Sequence, residues 1–366
     1  METAMLRENG HEVIEYVLDN RELNLRGSLI NALRSIWSRD DYHNLRKIIK
    51  EHKPALMHVH NSFPMLSPSI YHAARREGIK VFSTLRNYRH ICPAATLFRD
   101  GNICEDCIGK NPPVPAIKYA CYKESKSASM AVATMLAFHR FIRTFENKVD
   151  LFIAISEIIR DKHIRGGFDS DKIVVKPNFV HPDPGLRESK GDYAVFAGRL
   201  VAEKGVQTLL NAWKLLPANI KLKVIGAGPL EEKAIETAAD MRNVDILGYK
   251  SRDELYDLFG NSALVIVPSE WYEGFGRTAI EAFAVGTPVI ASNLGALNTI
   301  IEDGKTGYLF KPGDPEDLAR VVRLGFGNKE RLREMGEKAR AEYEMKYTAA
   351  SNYTQLMQIY ESIITG

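Results

Sequence analysis

Short β-branched runs alternate with helically spaced apolar stripes along nearly the whole chain, a pattern that predicts parallel sheets with crossover helices. In the first half the runs are Glu12–Leu18, Ala55–His60, Lys80–Leu85 and Leu151–Ser156, with another strand after the turn in "GGFDSDKIVV". In the second half they are Tyr193–Gly198, Lys221–Gly226, Val244–Gly248, Ala263–Pro268, Pro288–Ser292 and Gly307–Phe310. Helices fall between them. Val206, Leu209, Leu210 and Trp213 make one apolar stripe at helical spacing. Ser251 with Glu254 reads as a capping box before Leu255 and Leu258. Asp314-Pro315 starts a further helix with proline at its first position.

The stretch "KPNFVHPDPGLRESKGD" (Lys176–Asp192) is rich in Pro, Gly and charge and has no periodicity, so it reads as the boundary between two units. The fold class that follows is α/β, with two doubly wound, Rossmann-like parallel-sheet domains facing each other across a cleft. At the start, "METAMLRENGHEV" lies within a helix that Gly10 stops. A doubly wound domain should open on a strand before that helix. Either the chain is truncated or this sheet lacks its usual first strand.

Composition narrows the class. At 366 residues the chain exceeds the usual single domain. A net charge of 49 − 46 = +3 gives no reason to expect a nucleic-acid partner. The longest near-apolar run, Ala128–Phe138, is about half of what a bilayer span needs. With no secretory leader either, a soluble cytoplasmic protein is expected.

Candidate chemistry gathers at strand ends, where open parallel sheets bind ligands. "FAGRLVAEKG" puts Gly198, Arg199 and Lys204 between a strand and a helix start, a setting that suits a diphosphate; the alternative is a solvated basic loop. "VIGAGPLEE" has Gly226 and Gly228 but no third glycine, so it is not a dinucleotide fingerprint. In "EWYEGFGRTAIEA", Glu273 and Glu281 stand eight residues apart, with Gly274 and Gly276 in the loop and first turn. Carboxyls of a retaining glycosidase lie ~5–5.5 Å apart, whereas eight mostly helical residues advance by up to ~12 Å. These two glutamates therefore suit two ends of one extended ligand. Glu281 lies on the apolar side of its helix, where an unpaired carboxylate would be costly; hydroxyl donors, as from a ribose, would satisfy it.

"GRLVAEKG", followed about seventy residues later by "EGFGRTAIEA", resembles the family-four retaining glycosyltransferases of GT-B fold, the group 1 type. The family pattern is G-R-x4-K-G and then E-G-x-G-x3-[IL]-E-A, and the resemblance covers essentially the whole chain. It implies a nucleotide-diphosphate-sugar donor, with Arg199 and Lys204 at the diphosphate. Glu273 and the loop Gly274, Phe275 and Gly276, with Thr278 after it, would meet the sugar, and Glu281 the ribose. Gly248 and Tyr249 fall where the family places the base, and Gly198 and Gly226 back the site. The implied division is an acceptor-side domain over residues 1–178 and a donor domain over 179–345. Residues 346–366 would form a C-terminal helix crossing back to the first domain.

Departures from the family pattern bear on catalysis. After the strand ending "STL" the family has a His, and this chain has Arg86, which donates but cannot give up a proton. His58 and His60 lie at another strand end, and His60 is the candidate to share the catalytic side with Arg86. Asp169-Ser170-Asp171 spells the D-x-D of metal-dependent transferases, but in a turn where Asp favours local hydrogen bonds.

Within the insertion at about 88–125, Cys92, Cys104, Cys107 and Cys121 read as a structural zinc site or as buried thiols. Lys123–Lys148, apolar with basic flanks, reads as a packed helix or as a peripheral contact with the inner membrane face, which would suit a lipid-linked acceptor. The expected activity is metal-independent, retaining transfer of a hexose from a UDP- or GDP-sugar to a hydroxyl of a carbohydrate or lipid-linked sugar. The setting would be polysaccharide or glycoconjugate synthesis. The rival readings are a sugar-nucleotide-binding protein without catalysis and a phosphorylase, which would need pyridoxal phosphate.

Overall fold

The computed structural model describes residues 1–18, 28–187 and 191–364, so three residues of the boundary stretch lie outside the described residues. The described residues of 1–99, 104–176 and 353–366 form one compact unit, and those of 100–103 and 177–352 a second.

Before the boundary the strands are β1 (Leu56–His60) and β2 (Lys80–Leu85), a hairpin of β3 (Phe98–Arg99) and β4 (Asn102–Ile103), then β5 (Leu151–Ala154) and β6 (Ile173–Val175); all but β4 belong to the first unit. The main sheet is parallel, ordered β1-β2-β5-β6 in chain order, so its described strands contain no reversal. Successive side chains point to opposite faces, and β2 shows what covers each. Ser83 meets the Tyr71 hydroxyl of helix Ser69–Arg76 at 3.2 Å. On the other face Phe82 packs edge-on against Tyr360, 4.9 Å between ring centroids, from the last helix, Ala349–Ile364. Met5 of the helix Glu2–Glu8 is also buried, at 1% exposure.

The second unit carries β7 (Tyr193–Ala197), β8 (Lys221–Ile225), β9 (Val244–Ile246), β10 (Leu264–Val267), β11 (Val289–Ser292) and β12 (Gly307–Phe310). All pairs are parallel, in the order β12-β11-β10-β7-β8-β9. The order reverses between β7 and β10, which makes that pair the switch point of a doubly wound sheet. β10 and β11 are buried at every position because helices cover both faces. Val206, Leu209, Leu210 and Trp213 form the buried side of helix Val206–Lys214, each contributing roughly 1.5–3 kcal/mol. The Ser251–Glu254 capping box closes as its spacing predicts, and Asp314 accepts from the Asp317 amide at 3.0 Å.

One expectation is corrected here. Glu12–Leu18 forms no strand: it has no partner strand among the described residues, and Ile14 and Val17 stay 38% and 77% exposed. In the Cys-containing insertion Ile91, Cys92, Leu97, Cys107 and Ala116 are all buried. Of Lys123–Lys148, the helix Lys126–Phe141 packs through Val132, Met135 and Leu136 while Met130, Phe138 and Phe141 stay exposed. Among the described residues no helix is long and apolar enough to cross a membrane.

Candidate active site

Two loops leave the carboxyl ends of the switch-point strands, residues 198–205 after β7 and 268–276 after β10. They are fastened together. The Glu270 amide donates to the Glu203 carbonyl at 2.9 Å, and Thr208 Oγ1 donates to Glu270 Oε1 at 2.6 Å. Gly205 is required at the join: its φ is +70°, and a Cβ there would lie 1.8 Å from the Pro268 carbonyl oxygen. Gly226, at the end of β8, has φ +133° and leaves no room for a Cβ against the Gly198 oxygen at 1.9 Å.

This fastening brings Lys204 onto Glu273, 69 residues away in sequence. Lys204 Nζ donates to Glu273 Oε1, which also accepts from Ser269 Oγ at 2.7 Å. The Lys204 ammonium stands 5.4 Å from the centre of the Trp271 ring. Glu273 is 8% exposed. Its other oxygen, Oε2, has no hydrogen-bond partner among the described residues. The sequence groups Arg199 with Lys204, but in the fold Arg199 stays 74% exposed and pairs with Glu203 at 3.3 Å. Lys204 and Glu273, assigned to different parts of a ligand, form one ion pair in the folded chain.

Gly276, at φ +77°, caps the helix Arg277–Ala284, and Glu281 sits one turn inside it. Glu281 is 8% exposed, and Arg277 Nε donates to its Oε1 at 2.8 Å. The Glu281 carboxylate is therefore not unpaired, since a cation one turn earlier takes one of its oxygens. Its second oxygen has none among the described residues. Beside it, burial and the charge of Glu281 push the Tyr256 phenol up to about 12, and the Tyr256 hydroxyl is buried without a partner among the described residues. Phe275 is core, 6% exposed and edge-on to Tyr347 at 6.1 Å. Thr278 is half-buried in the first helical turn, and Gly274 is half-buried in the loop. Gly248 has φ +66° and its carbonyl accepts from the Gly226 amide at 2.8 Å, while Tyr249 is 81% exposed.

In the first unit the strand ends hold a different cluster. Glu2 Oε1 lies 3.0 Å from His60 Nε2 and 3.3 Å from His58 Nδ1, and Glu2 Oε2 lies 3.3 Å from Lys176 Nζ. Arg86 Nη2 meets His60 Nδ1 at 3.1 Å. Arginine only donates, so Nδ1 accepts and the His60 proton sits on Nε2, toward Glu2. Burial would raise Glu2, but His60 first, and then the other groups around it including the Lys176 ammonium, outweigh burial and hold the carboxyl below the usual range, although Glu2 Oε1 makes no well-formed hydrogen bond. Burial first, then His60, pushes His58 well down. Sequence reasoning finds His58, His60 and Arg86 but misses Glu2 and Lys176, whose only signal is their position beside strand ends. Asp169 serves its own turn, where its carboxylate accepts from the Asp171 amide at 3.0 Å and caps a short 3-10 helix. The four cysteines are all free thiols.

Known proteins extend this picture. A family model for glycosyl transferases group 1 matches residues 181–342, and one for glycosyltransferase family 4 matches residues 3–184. An uncharacterised glycosyltransferase of Methanocaldococcus jannaschii is 29% identical over 231 residues, 62% of each chain. A phosphatidyl-myo-inositol mannosyltransferase of Mycobacterium leprae is 28% identical over 247 residues, 64% of each. The chain thus matches under two thirds of the length of both. Among solved structures, Anabaena Alr3699/HepE in complex with UDP superposes with a TM-score of 0.66 at 17% identity, covering 87% of this chain and 82% of that one. A glycosyltransferase from Rickettsia africae gives a TM-score of 0.69 at 19% identity, covering 99% and 87%. The two parallel-sheet units are those of the GT-B glycosyltransferase fold. The chain belongs to the family-four, group 1 glycosyltransferases of GT-B fold.

Proposed function

We propose that this chain transfers a hexose from a UDP- or GDP-sugar to an acceptor hydroxyl with retention of configuration, in polysaccharide or glycoconjugate synthesis. One observation carries the reading. At the switch point, Glu273 and Glu281 are each buried, each held through one oxygen by a cation, and each left with a second oxygen that has no partner among the described residues. Two such acceptors on one extended loop and helix suit a ligand with hydroxyls at both ends and charge between. Glu273 takes the sugar hydroxyls and Glu281 the ribose. Arg199, the remaining N–H groups of Lys204 and the helix start after Gly276 neutralise the diphosphate.

The sugar end rests on Gly274–Gly276 and Thr278, and the base lies toward Gly248 and Tyr249. Departure of the diphosphate, stabilised by these fixed cations, is followed by acceptor attack on the same face, with no metal required. The first unit supplies the acceptor side, with Arg86 and His60 at its strand ends. The UDP and UDP-glucose complexes of Alr3699/HepE support a nucleotide donor. The Mycobacterium leprae mannosyltransferase and a Staphylococcus aureus capsular polysaccharide glycosyltransferase support the setting.

The test is a screen of UDP- and GDP-sugars for binding and hydrolysis, with the product anomer read by NMR. Saturable binding of one donor with a retained anomer is expected. An inverted product, or no donor bound across the panel, overturns the reading.

A further inference from the structure

The cysteines all belong to the first unit. They are the chain's full complement of four, and all lie within thirty residues. Short elements present each of them. The Cys92 amide closes a turn on the Tyr88 carbonyl at 2.8 Å, and the Cys92 carbonyl accepts from Ala95 at 2.8 Å. Strand β4 runs directly into Cys104, whose amide bonds the Leu97 carbonyl at 2.8 Å. Cys104 and Cys107 then flank a turn closed by the Ile108 amide on the Glu105 carbonyl at 3.0 Å. The helix Val114–Lys118 leads to Cys121, whose amide returns to the Ala116 carbonyl at 3.0 Å.

These turns hold the four cysteines in one folded insertion: Cys92 and Cys107 are buried, and the Cys107 sulfur and the Cys121 amide both meet the segment 113–116. Repulsion from the neighbouring thiols adds to burial in raising Cys104, Cys107 and Cys121. Burial first, and then the neighbouring thiols, push Cys107 up to about 12, and its thiol is directed at the Pro113 carbonyl at 3.9 Å.

The surroundings are charged the opposite way. Arg99 interacts with Cys104 and Cys121, Arg89 with Cys92, and Arg140 with Cys107. Arg99 also pairs with Asp106 at 3.0 Å. Arg89 donates to the Pro93 carbonyl, and Arg140 donates to the Lys110 and His90 carbonyls at 2.9 and 3.1 Å. Neither Arg89 nor Arg140 has a carboxylate partner among the described residues. Partly buried guanidinium groups without counter-charges are costly. A group with charge −2 at the centre of the four sulfurs would supply the missing charge.

We propose that Cys92, Cys104, Cys107 and Cys121 bind one Zn2+ as a structural tetrathiolate that pins the insertion between β2 and the helix Lys126–Phe141. Four thiols release four protons, the ion brings two positive charges, and the centre carries −2 facing Arg89, Arg99 and Arg140, with no redox change. Soft thiolate sets of this kind select zinc over hard cations. Among the described residues no three of the sulfurs lie within 4.8 Å of one another, wider than the ~3.8 Å edge set by zinc–sulfur bonds of ~2.3 Å. Loading therefore requires the thiolates to draw inward by side-chain rotation.

A tighter group among the described residues, Glu2 with His58 and His60 within 4.8 Å, is the poorer metal site. Lys176 and Arg86 already engage it, and a divalent ion would sit beside two fixed cations.

The test uses the full chain, purified without a polyhistidine tag and under reducing conditions. Its metal content is measured by mass spectrometry before and after incubation with Zn2+ and desalting. About one zinc per chain is expected, released by a thiol-directed mercurial. The Cys104→Ser/Cys107→Ser variant should hold less than a tenth of that while still binding nucleotide. If this variant does not fold, the mercurial release on the unmodified chain decides.

Zinc-free protein that takes up none, or zinc that survives the mercurial or the double substitution, overturns the proposal. So does iron with visible charge-transfer absorbance. None of these readouts depends on glycosyl transfer, so failure here leaves the donor-site reading intact.

Discussion

The carboxyl edges of the two parallel sheets are finished in opposite ways. In the first unit a single carboxylate, Glu2, is shared by His58, His60 and Lys176, and Arg86 closes the ring through His60. In the second unit Glu273 and Glu281 are as well buried, yet each spends only one oxygen on a protein cation. The first edge is ringed by protein side chains, although Glu2 Oε1 makes no well-formed hydrogen bond there. The second keeps one oxygen of each glutamate free of protein partners among the described residues, and on the reading proposed above a ligand takes them.

The largest effect that would break this comparison is at Lys204. Lys204→Ala removes the cation assigned to the leaving diphosphate and leaves Glu273 buried beside Ser269 alone. Single-turnover transfer should fall by about 100-fold or more, while hydrogen exchange in the first unit is unchanged. A fall of less than about threefold would mean that the ion pair is only structural.

Glu281→Ala should weaken binding of the bare nucleotide by about 10-fold, the cost of one hydrogen bond to a charged group. In a titration, unchanged affinity would remove Glu281 from the ribose.

Acid sharpens the contrast further. Burial first, with neighbouring cations, holds His90 at about 3 and His72 and His163 at about 4, against an ordinary value of 6.5. Depressed values mean that the unfolded chain takes up protons first. Their stabilisation is complete above pH 6.5 and is lost as pH falls toward 4 and then 3, at about 1 kcal/mol per histidine per pH unit. All three lie in the first unit, and the second contains only His181. Depressed acids of the second unit, Asp183, Glu254, Asp314 and Glu330, matter only below their ordinary values of 3.8 for Asp and 4.5 for Glu. Hydrogen exchange at pH 7 and pH 5 should therefore show protection lost in the first unit and kept in the second. Equal loss in both would contradict the assignment.

The smallest effect is expected at Arg86. Arg86→His removes the donor to His60 Nδ1 but touches neither Glu273 nor Glu281, so nucleotide affinity should hold and turnover should change by less than about threefold. A large gain in turnover would show that arginine at this strand end restrains the enzyme.

Much of this was legible in the sequence because it is local. Apolar stripes, the Ser251–Glu254 box, the glycines at strand ends and the position of Glu281 on a helix depend on residues a few places apart. Arg277 as the partner of Glu281 was equally legible, since four residues on a helix share a face. Glu12–Leu18 reads as a strand by composition, but a strand exists only where another is beside it, and composition does not report that. The pairs that make the sites are set by strand order. Lys204 meets Glu273 because β7 lies next to β10, and Glu2 meets Lys176 because an N-terminal helix reaches the end of β6. No spacing rule spans such distances.

If Glu273 and Glu281 grip two ends of one donor, their roles must separate in solution. The most direct measurement is calorimetric titration of the unmodified chain, Glu273→Ala and Glu281→Ala with the matching nucleoside diphosphate and its sugar, paired with transfer rates. Glu281→Ala should weaken both ligands, whereas Glu273→Ala should keep nucleoside diphosphate affinity and lose transfer. Equal losses for the two variants in both assays would contradict the two-ended grip.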